Sequence, residues 1–432
     1  MIQMLQKNYI CLMVLSFTAA TAQDQRGIIG KENWLMNWTN FKPKQTNYRD
    51  AKIILNGQIT KNTTLTKENT YLLVGDVFVT NNATLTIQAG THVRGDFESN
   101  GTLIVAKNAK IIAEGTETDP IIFTSNQNDS RKAGDWGGII LLGDAPINKS
   151  EGVGCVDIAF KNGLCKYGGE NENSNSGSLK YVRIEFSGKK FNKTKGLNAL
   201  TLAAVGSKTN IEFVQISYAN DDAIEIKGGN VNMKNIVTFK SGDDDFDLSM
   251  GTQLKINNSL IIRDPFLSEE SKSRGFEVES FDKLDASDSS RKLTSVLANN
   301  ITMLNIEKEG ISSNSEAIYI NDDVNFALSN SVISGFEIGI SLANKAATVA
   351  NLSKKITLNN LLLNKSQKIV FAEASYNENQ DFSQDIERSL TAPSCQLLKS
   401  DMAVKTMFKN IEFTSLTDFQ LTESASKTFV SK

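Results

Sequence analysis

Short alternations of apolar and polar residues, three to six positions long, recur along the chain from about residue 51 and are cut off by Gly, Asn or Asp. Examples are Ile53 to Leu55, Tyr71 to Val74 and Val77 to Val79, then A-T-L-T-I-Q-A-G-T-H-V-R-G (83–95) and D-P-I-I-F-T-S (119–125). Alternation with a period of two, bounded by turn residues, predicts strands. No long helical periodicity interrupts them. Many parallel strands without helical crossovers are most economically stacked as a coil.

The pattern also repeats. Residues 221–229 read D-D-A-I-E-I-K-G-G and residues 243–251 read D-D-D-F-D-L-S-M-G, an offset of 22 residues. A unit of that size cannot bury its own apolar face and is stabilised only when the next copy stacks on it, about 4.8 Å along an axis. The predicted fold is therefore all-β, a right-handed parallel β-helix with its ends capped. Its expected extent is residues 51–373, with loop excursions at about 144–177 and 267–292. Residues 23–50, with Trp34 and Trp38, read as an N-terminal arm or cap over the exposed edge of the first turn. Residues 374–432 lose the regularity and read as a C-terminal cap.

Lys7, the apolar run from Tyr9 to Ala19 and the small-x-small triplet Ala20-Thr21-Ala22 form a signal peptide over residues 1–22. The run is too short to span a bilayer, and no later stretch approaches about 20 apolar residues. The expected compartment is thus outside the cytoplasm: periplasm, outer-membrane surface or medium. There Cys155 and Cys165, bracketing nine residues, are natural disulfide partners, and Cys395 is left over. A net charge of −3 and the absence of a basic patch interleaved with aromatics exclude nucleic acid as the expected partner.

Further motifs carry a resemblance. G-D-W-G-G-I-I-L-L-G (134–143), L-K-Y-V-R-I-E-F-S-G (179–188), G-D-D-D-F-D and L-I-I-R-D-P occur in an order similar to that of a family of exported right-handed parallel β-helix proteins of Bacteroidetes, whose biochemical role is unsettled. The resemblance covers roughly residues 70–340. It implies the fold and an exported location rather than a particular activity.

The candidate chemistry lies in the repeated acids. Stacking would align Asp221 and Asp222 with Asp243, Asp244, Asp245 and Asp247, and Arg263 and Asp264 would follow in the next turn. Carboxylates at strand spacing repel unless something intervenes, and Ca²⁺, which takes six to eight oxygen ligands, is the candidate cofactor. Pectate-lyase-like β-helices place Ca²⁺-binding acids and a basic residue on such a face, which is an analogy at the level of fold. If the chain is an enzyme, Asp244, Asp245 and Arg263 are the catalytic candidates. The competing reading is that Asp and Asn serve the turns themselves. Glu277 and Glu279 form a second acidic pair on one strand face. His92 is the only histidine, so a multi-histidine metal centre is excluded, and no G-x-S-x-G elbow accompanies it. Tyr218, Phe239, Phe246, Phe266, Phe276 and Trp136 are either core residues or sugar platforms.

Two functional classes follow. One is a non-enzymatic exported binding or scaffold protein, with an envelope protein, an outer-membrane complex or a surface adhesion target as partner. The other is a Ca²⁺-dependent polysaccharide lyase or a glycoside hydrolase.

Overall fold

The computed structural model describes residues 25–156, 163–192, 195–267, 272–281, 284–306, 316–321, 323–343, 355–372 and 397–428. Residues 1–22, where a signal peptide is expected, and Cys395 lie outside these residues.

The strands stack in parallel columns. One column holds short strands: Gly138–Leu142, Leu200–Ala203, Ile224–Lys227, Phe246–Ser249, Phe276–Val278, Glu316–Ile320, Ile338–Leu342 and Lys368–Ala372. The other holds longer strands, from Gly177–Glu185 through Asn230–Phe239 and Gln253–Arg263 to Leu397–Ser400. All belong to one 24-stranded sheet that winds as a solenoid, a parallel β-helix. The repeat seen in the sequence is the observed register: Ile224 faces Phe246 and Glu225 faces Asp247.

The long strands bend in their middle. Tyr181, Phe213, Asn235, Asn258, Asn300, Asn330 and Asn360 all adopt the left-handed conformation, with φ between 49° and 57°. Asn tolerates that region better than other residues with a Cβ. Repeated in coil after coil, it splits each long strand over two faces, so each coil has three sides. Inward-pointing apolar residues fill the interior, with Phe246 and Phe276 stacked at 4.8 Å, the rung spacing.

A second apolar cluster lies outside the coil. Residues 25–50 run down the flank as a strap. The Gly27 N–H donates to Asn330 O, the Ile29 N–H to Asn258 Oδ1 and the Asn40 N–H to Gln215 Oε1. Trp38 meets Tyr181 and Phe213 edge-on, and Phe41 meets Phe239. The expected cover of the first turn is therefore corrected: the aromatics of the strap find aromatic partners on the flank, and the first strand, Ile53–Ile59, keeps Ile54 63% exposed. The C-terminal boundary shifts too. Leu397–Ser400 adds a rung beyond residue 373, and Met407, Phe408 and Phe419 join the strap on the flank.

The Cys155–Cys165 disulfide forms within the first excursion. This excursion clasps the second one: the Ser150 N–H donates to Ala286 O, the Asp288 N–H to Asn148 O, and Lys149 bridges Ser287. No helix among the described residues is long and apolar enough to cross a membrane.

Candidate functional site

The turns that lead into Ile224–Lys227 and Phe246–Ser249 carry the repeated aspartates. Two of these have a clear turn role. Asp222 Oδ1 accepts the Asp244 N–H at 3.1 Å, and Asp244 Oδ1 accepts the Arg274 N–H. Asn198 Oδ1 accepts the Asp222 N–H one rung earlier, at 3.2 Å. Each side chain thus satisfies a backbone donor of the following coil, which is why short acceptor side chains recur at this phase.

Asp221, Asp222 and Asp243 also converge, each offering a carboxylate oxygen within 4.8 Å of the others. The cations around them are few. Lys190 Nζ lies 3.3 Å from Asp221 Oδ1, and Ser273 Oγ lies 3.2 Å from Asp243 Oδ1. Burial raises all three carboxyl groups: Asp221 to about 6, Asp243 above its ordinary value and Asp222 well above it, with Asp247 and Asp244 adding to the rise at Asp222. Burial first, then Glu277 and Asp243, raises Asp244, and burial with Glu225 raises Asp247. Ligand oxygens sit about 2.3–2.6 Å from Ca²⁺, so two oxygens on one ion are at most about 5 Å apart. Three hard carboxylate donors within 4.8 Å fit such an ion.

The other sequence candidates separate. Asp245 and Arg263 are fully buried and paired at 2.8 Å, with Ser241 Oγ also on Asp245. The Arg263 guanidinium donates to the carbonyls of Asp243 and Arg274 as well, at 2.8 and 3.0 Å. Both are corrected from ligand and catalyst to turn staples, because neither reaches the surface. The four-residue run Asp243 to Phe246 crosses from the outer face to the interior, so the six acids do not share one face. Asp247 stands on the outward strand face, between Glu225 and Glu277 in neighbouring rungs. Phe276 and Val278 point inward while Glu277 stays partly accessible, as the alternation requires. Arg274 pairs with Glu277 and, at 3.1 Å, with Glu316, and its guanidinium lies over the Tyr319 ring.

His92 sits elsewhere, edge-on to Tyr48, and burial with Arg183, Arg49 and Arg94 nearby lowers its pKa. Trp136 is a structural plug: fully buried, it donates from Nε1 to Glu185 O at 2.8 Å. Of the aromatics, Phe246 and Phe276 stack inside the coil. Tyr218 and Phe239 lie in the flank cluster with the strap. Phe266 alone projects, 69% exposed, on a turn in which Asp264 Oδ1 accepts its N–H. The sequence reading missed Phe191, 47% exposed beside Lys190 on the hairpin built from 190–192 and 195–196. The K-K-F triplet at 189–191 was its signal.

A family model described as a pectate-lyase-like β-helix domain matches residues 57–403. The chain belongs to this family. No curated protein and no solved structure matches it. The acid strip spans three rungs of this β-helix, from Asp221 and Asp222 through Asp243 and Asp247 to Glu277, with Lys190 at its edge on Asp221.

Proposed function

We propose that the protein is an exported, non-catalytic binding protein of the bacterial envelope that holds an acidic polysaccharide against the strip around Asp221, Asp222 and Asp243. The convergence of these three carboxylates carries the reading. They would hold Ca²⁺, which supplies the positive charge that a uronate carboxylate needs. Phe266 and Phe191 add exposed aromatic faces of the kind sugar rings stack on. The basic side chains nearby are engaged: Lys190 with Asp221, Lys227 with Glu225, and Arg274 with Glu277 and Glu316. Burial pulls the Lys227 ammonium down, but Glu225 and Asp247 outweigh it, so the group stays charged and is a poor base. This favours holding over turnover. A long rigid face also suits docking to an outer-membrane complex or an adhesion target.

One observation favours an enzyme instead. Glu225, Asp247 and Glu277 succeed one another at rung spacing, about 5 Å, and Asp247 has its pKa raised well above normal by burial and Glu225. Two carboxyl groups at that distance, one with its pKa raised, are the arrangement of a retaining glycoside hydrolase.

Calorimetric titration of polygalacturonate into the secreted protein, with Ca²⁺ and with a chelator, tests both. Binding that needs Ca²⁺ and is lost in Asp243→Asn supports the first reading. Release of new reducing or unsaturated ends, abolished by Asp247→Asn, replaces it with the second. Absence of both overturns the site.

A further inference from the structure

The geometry points to a second ligand site, for a neutral sugar, in the cleft between the two loop excursions at the opposite corner of the same coils. The cleft has a volume of about 430 Å³, within the range of about 300–1,000 Å³ of small-molecule sites. Its floor is the turn at Gly229 and Gly251. One wall comes from the first excursion through Ile147, Asn148, Glu170 and Glu172, the other from the second through Asp288, Arg291 and Lys292. The walls are joined by structure: the Gly229 N–H donates to Pro146 O, and Arg291 Nη1 donates to Ile147 O at 3.1 Å and pairs with Glu170 at 3.1 Å.

Asn148 marks the cleft as a binding site. It is 1% exposed, and its Nδ2 donates to Ser280 O at 2.7 Å and faces Lys292 O at 3.4 Å. Two carbonyl partners fix which end of the amide is nitrogen. Oδ1 is then left as a buried acceptor without a partner. An orphaned buried acceptor is destabilising unless a donor reaches it. Asn230, on the floor, also makes no side-chain hydrogen bond among the described residues.

The chemistry of the lining selects the ligand. Three carboxylates, Glu170, Glu172 and Asp288, face two cations, Arg291 and Lys292, so an anion is repelled. Both cations already pair with those acids. What remains in excess is acceptor oxygen, from the carboxylates and from Asn148 Oδ1. A neutral molecule rich in hydroxyl donors satisfies it, and the partly exposed Pro146 ring offers an apolar surface to the C–H face of a sugar ring. The strand Phe246–Ser249 alone separates this corner from the acidic strip, a span of about 13 Å for four residues. The inference stands on the residues of the cleft and does not require Ca²⁺ at the strip.

Saturation-transfer NMR with cellobiose, maltose and lactose at millimolar concentration tests it, on the full secreted chain with a chelator present. At least one disaccharide should give transfer to its ring protons. Asn230→Trp, which fills the cleft from a partly exposed position, should weaken that binding at least tenfold with an unchanged melting temperature. Glu172→Lys, which reverses a charge on the exposed rim, should also weaken it and serves if the tryptophan variant does not fold. No transfer from any of the three, or transfer undiminished in the variants, overturns the inference. Retained Ca²⁺-dependent binding of digalacturonate in Asn230→Trp would separate this site from the acidic strip.

Discussion

Arg263 Nη1 lies 2.8 Å from Asp245 Oδ2 with both side chains fully enclosed. The same guanidinium ties the carbonyls of Ser241, Asp243 and Arg274, so it fastens three successive parts of the acidic turns. Removing one member of a buried pair strands the other charge, at a cost of about 3–5 kcal/mol. Arg263→Ala should therefore lower the unfolding midpoint by that order, measured by urea titration with circular dichroism. A change below about 1 kcal/mol would mean that the pair is not closed.

The strip carries its own pH dependence. An unfolded aspartate titrates near 3.9, whereas folded Asp221 titrates at about 6, with Asp222, Asp244 and Asp247 raised well above normal. Between the two values the folded state binds more protons, so stability falls as pH rises from about 4 through about 6, and continues to fall where the other three ionise. In a chelator, the melting temperature should be higher at pH 5 than at pH 8. Millimolar Ca²⁺ should recover stability at pH 8 and change little at pH 5. A melting temperature that climbs from pH 5 to pH 8 in the chelator contradicts this.

Asp244→Asn isolates charge from hydrogen bonding. The amide oxygen still accepts the Arg274 N–H, while the repulsion from Glu277 and Asp243 disappears. The variant should be more stable than the parent at pH 8 in a chelator, in the same melting assay. A loss of stability would show that the ionised form serves a further partner.

The disulfide acts locally. Cys155 and Cys165 are 10 residues apart, and closing so short a loop contributes about 2–3 kcal/mol in the chain-entropy model. The bond lies outside the stacked sheet, in the small hairpin of Gly154–Cys155 with Lys166–Tyr167. Cys155→Ser with Cys165→Ser should leave exchange protection of the Phe246–Ser249 rung intact and reduce it around Tyr167, as read by hydrogen exchange. Loss of protection throughout the coil would assign the disulfide a global role.

Trp38 tests the strap. It is fully buried against the flank, and truncating such a residue costs about 3–5 kcal/mol. Trp38→Ala should release residues 25–50 to limited proteolysis while the rungs stay resistant. Simultaneous digestion of both would tie the two together more closely than the contacts suggest.

Much of the fold was legible because burial in a solenoid follows a simple parity. Ile224, Ile226, Phe246 and Leu248 alternate with polar neighbours and all point inward. The 22-residue offset between Asp221 and Asp243 translates directly into stacking. The site was only half legible, because parity fails in turns. Asp243, Asp244 and Asp245 are consecutive, yet one faces the surface cluster, one caps the next coil and one enters the interior to meet Arg263. The strap was misplaced for a related reason. Trp34 and Trp38 announce a buried segment, but nothing local states that their partners are Tyr181 and Phe213, more than 140 residues away. The cleft at Asn148 joins two excursions distant in sequence and had no local signal.

The strap has one further consequence. A stack of coils held only by its nearest neighbours frays from either end, each rung leaving on its own. Here a single segment near the start of the chain touches Asn330, Asn258, Gln215 and Glu185 in turn. It acts as a tie-rod. Rungs laid down late in synthesis must exist before the earliest residues find their seat, so the segment made first is fastened last.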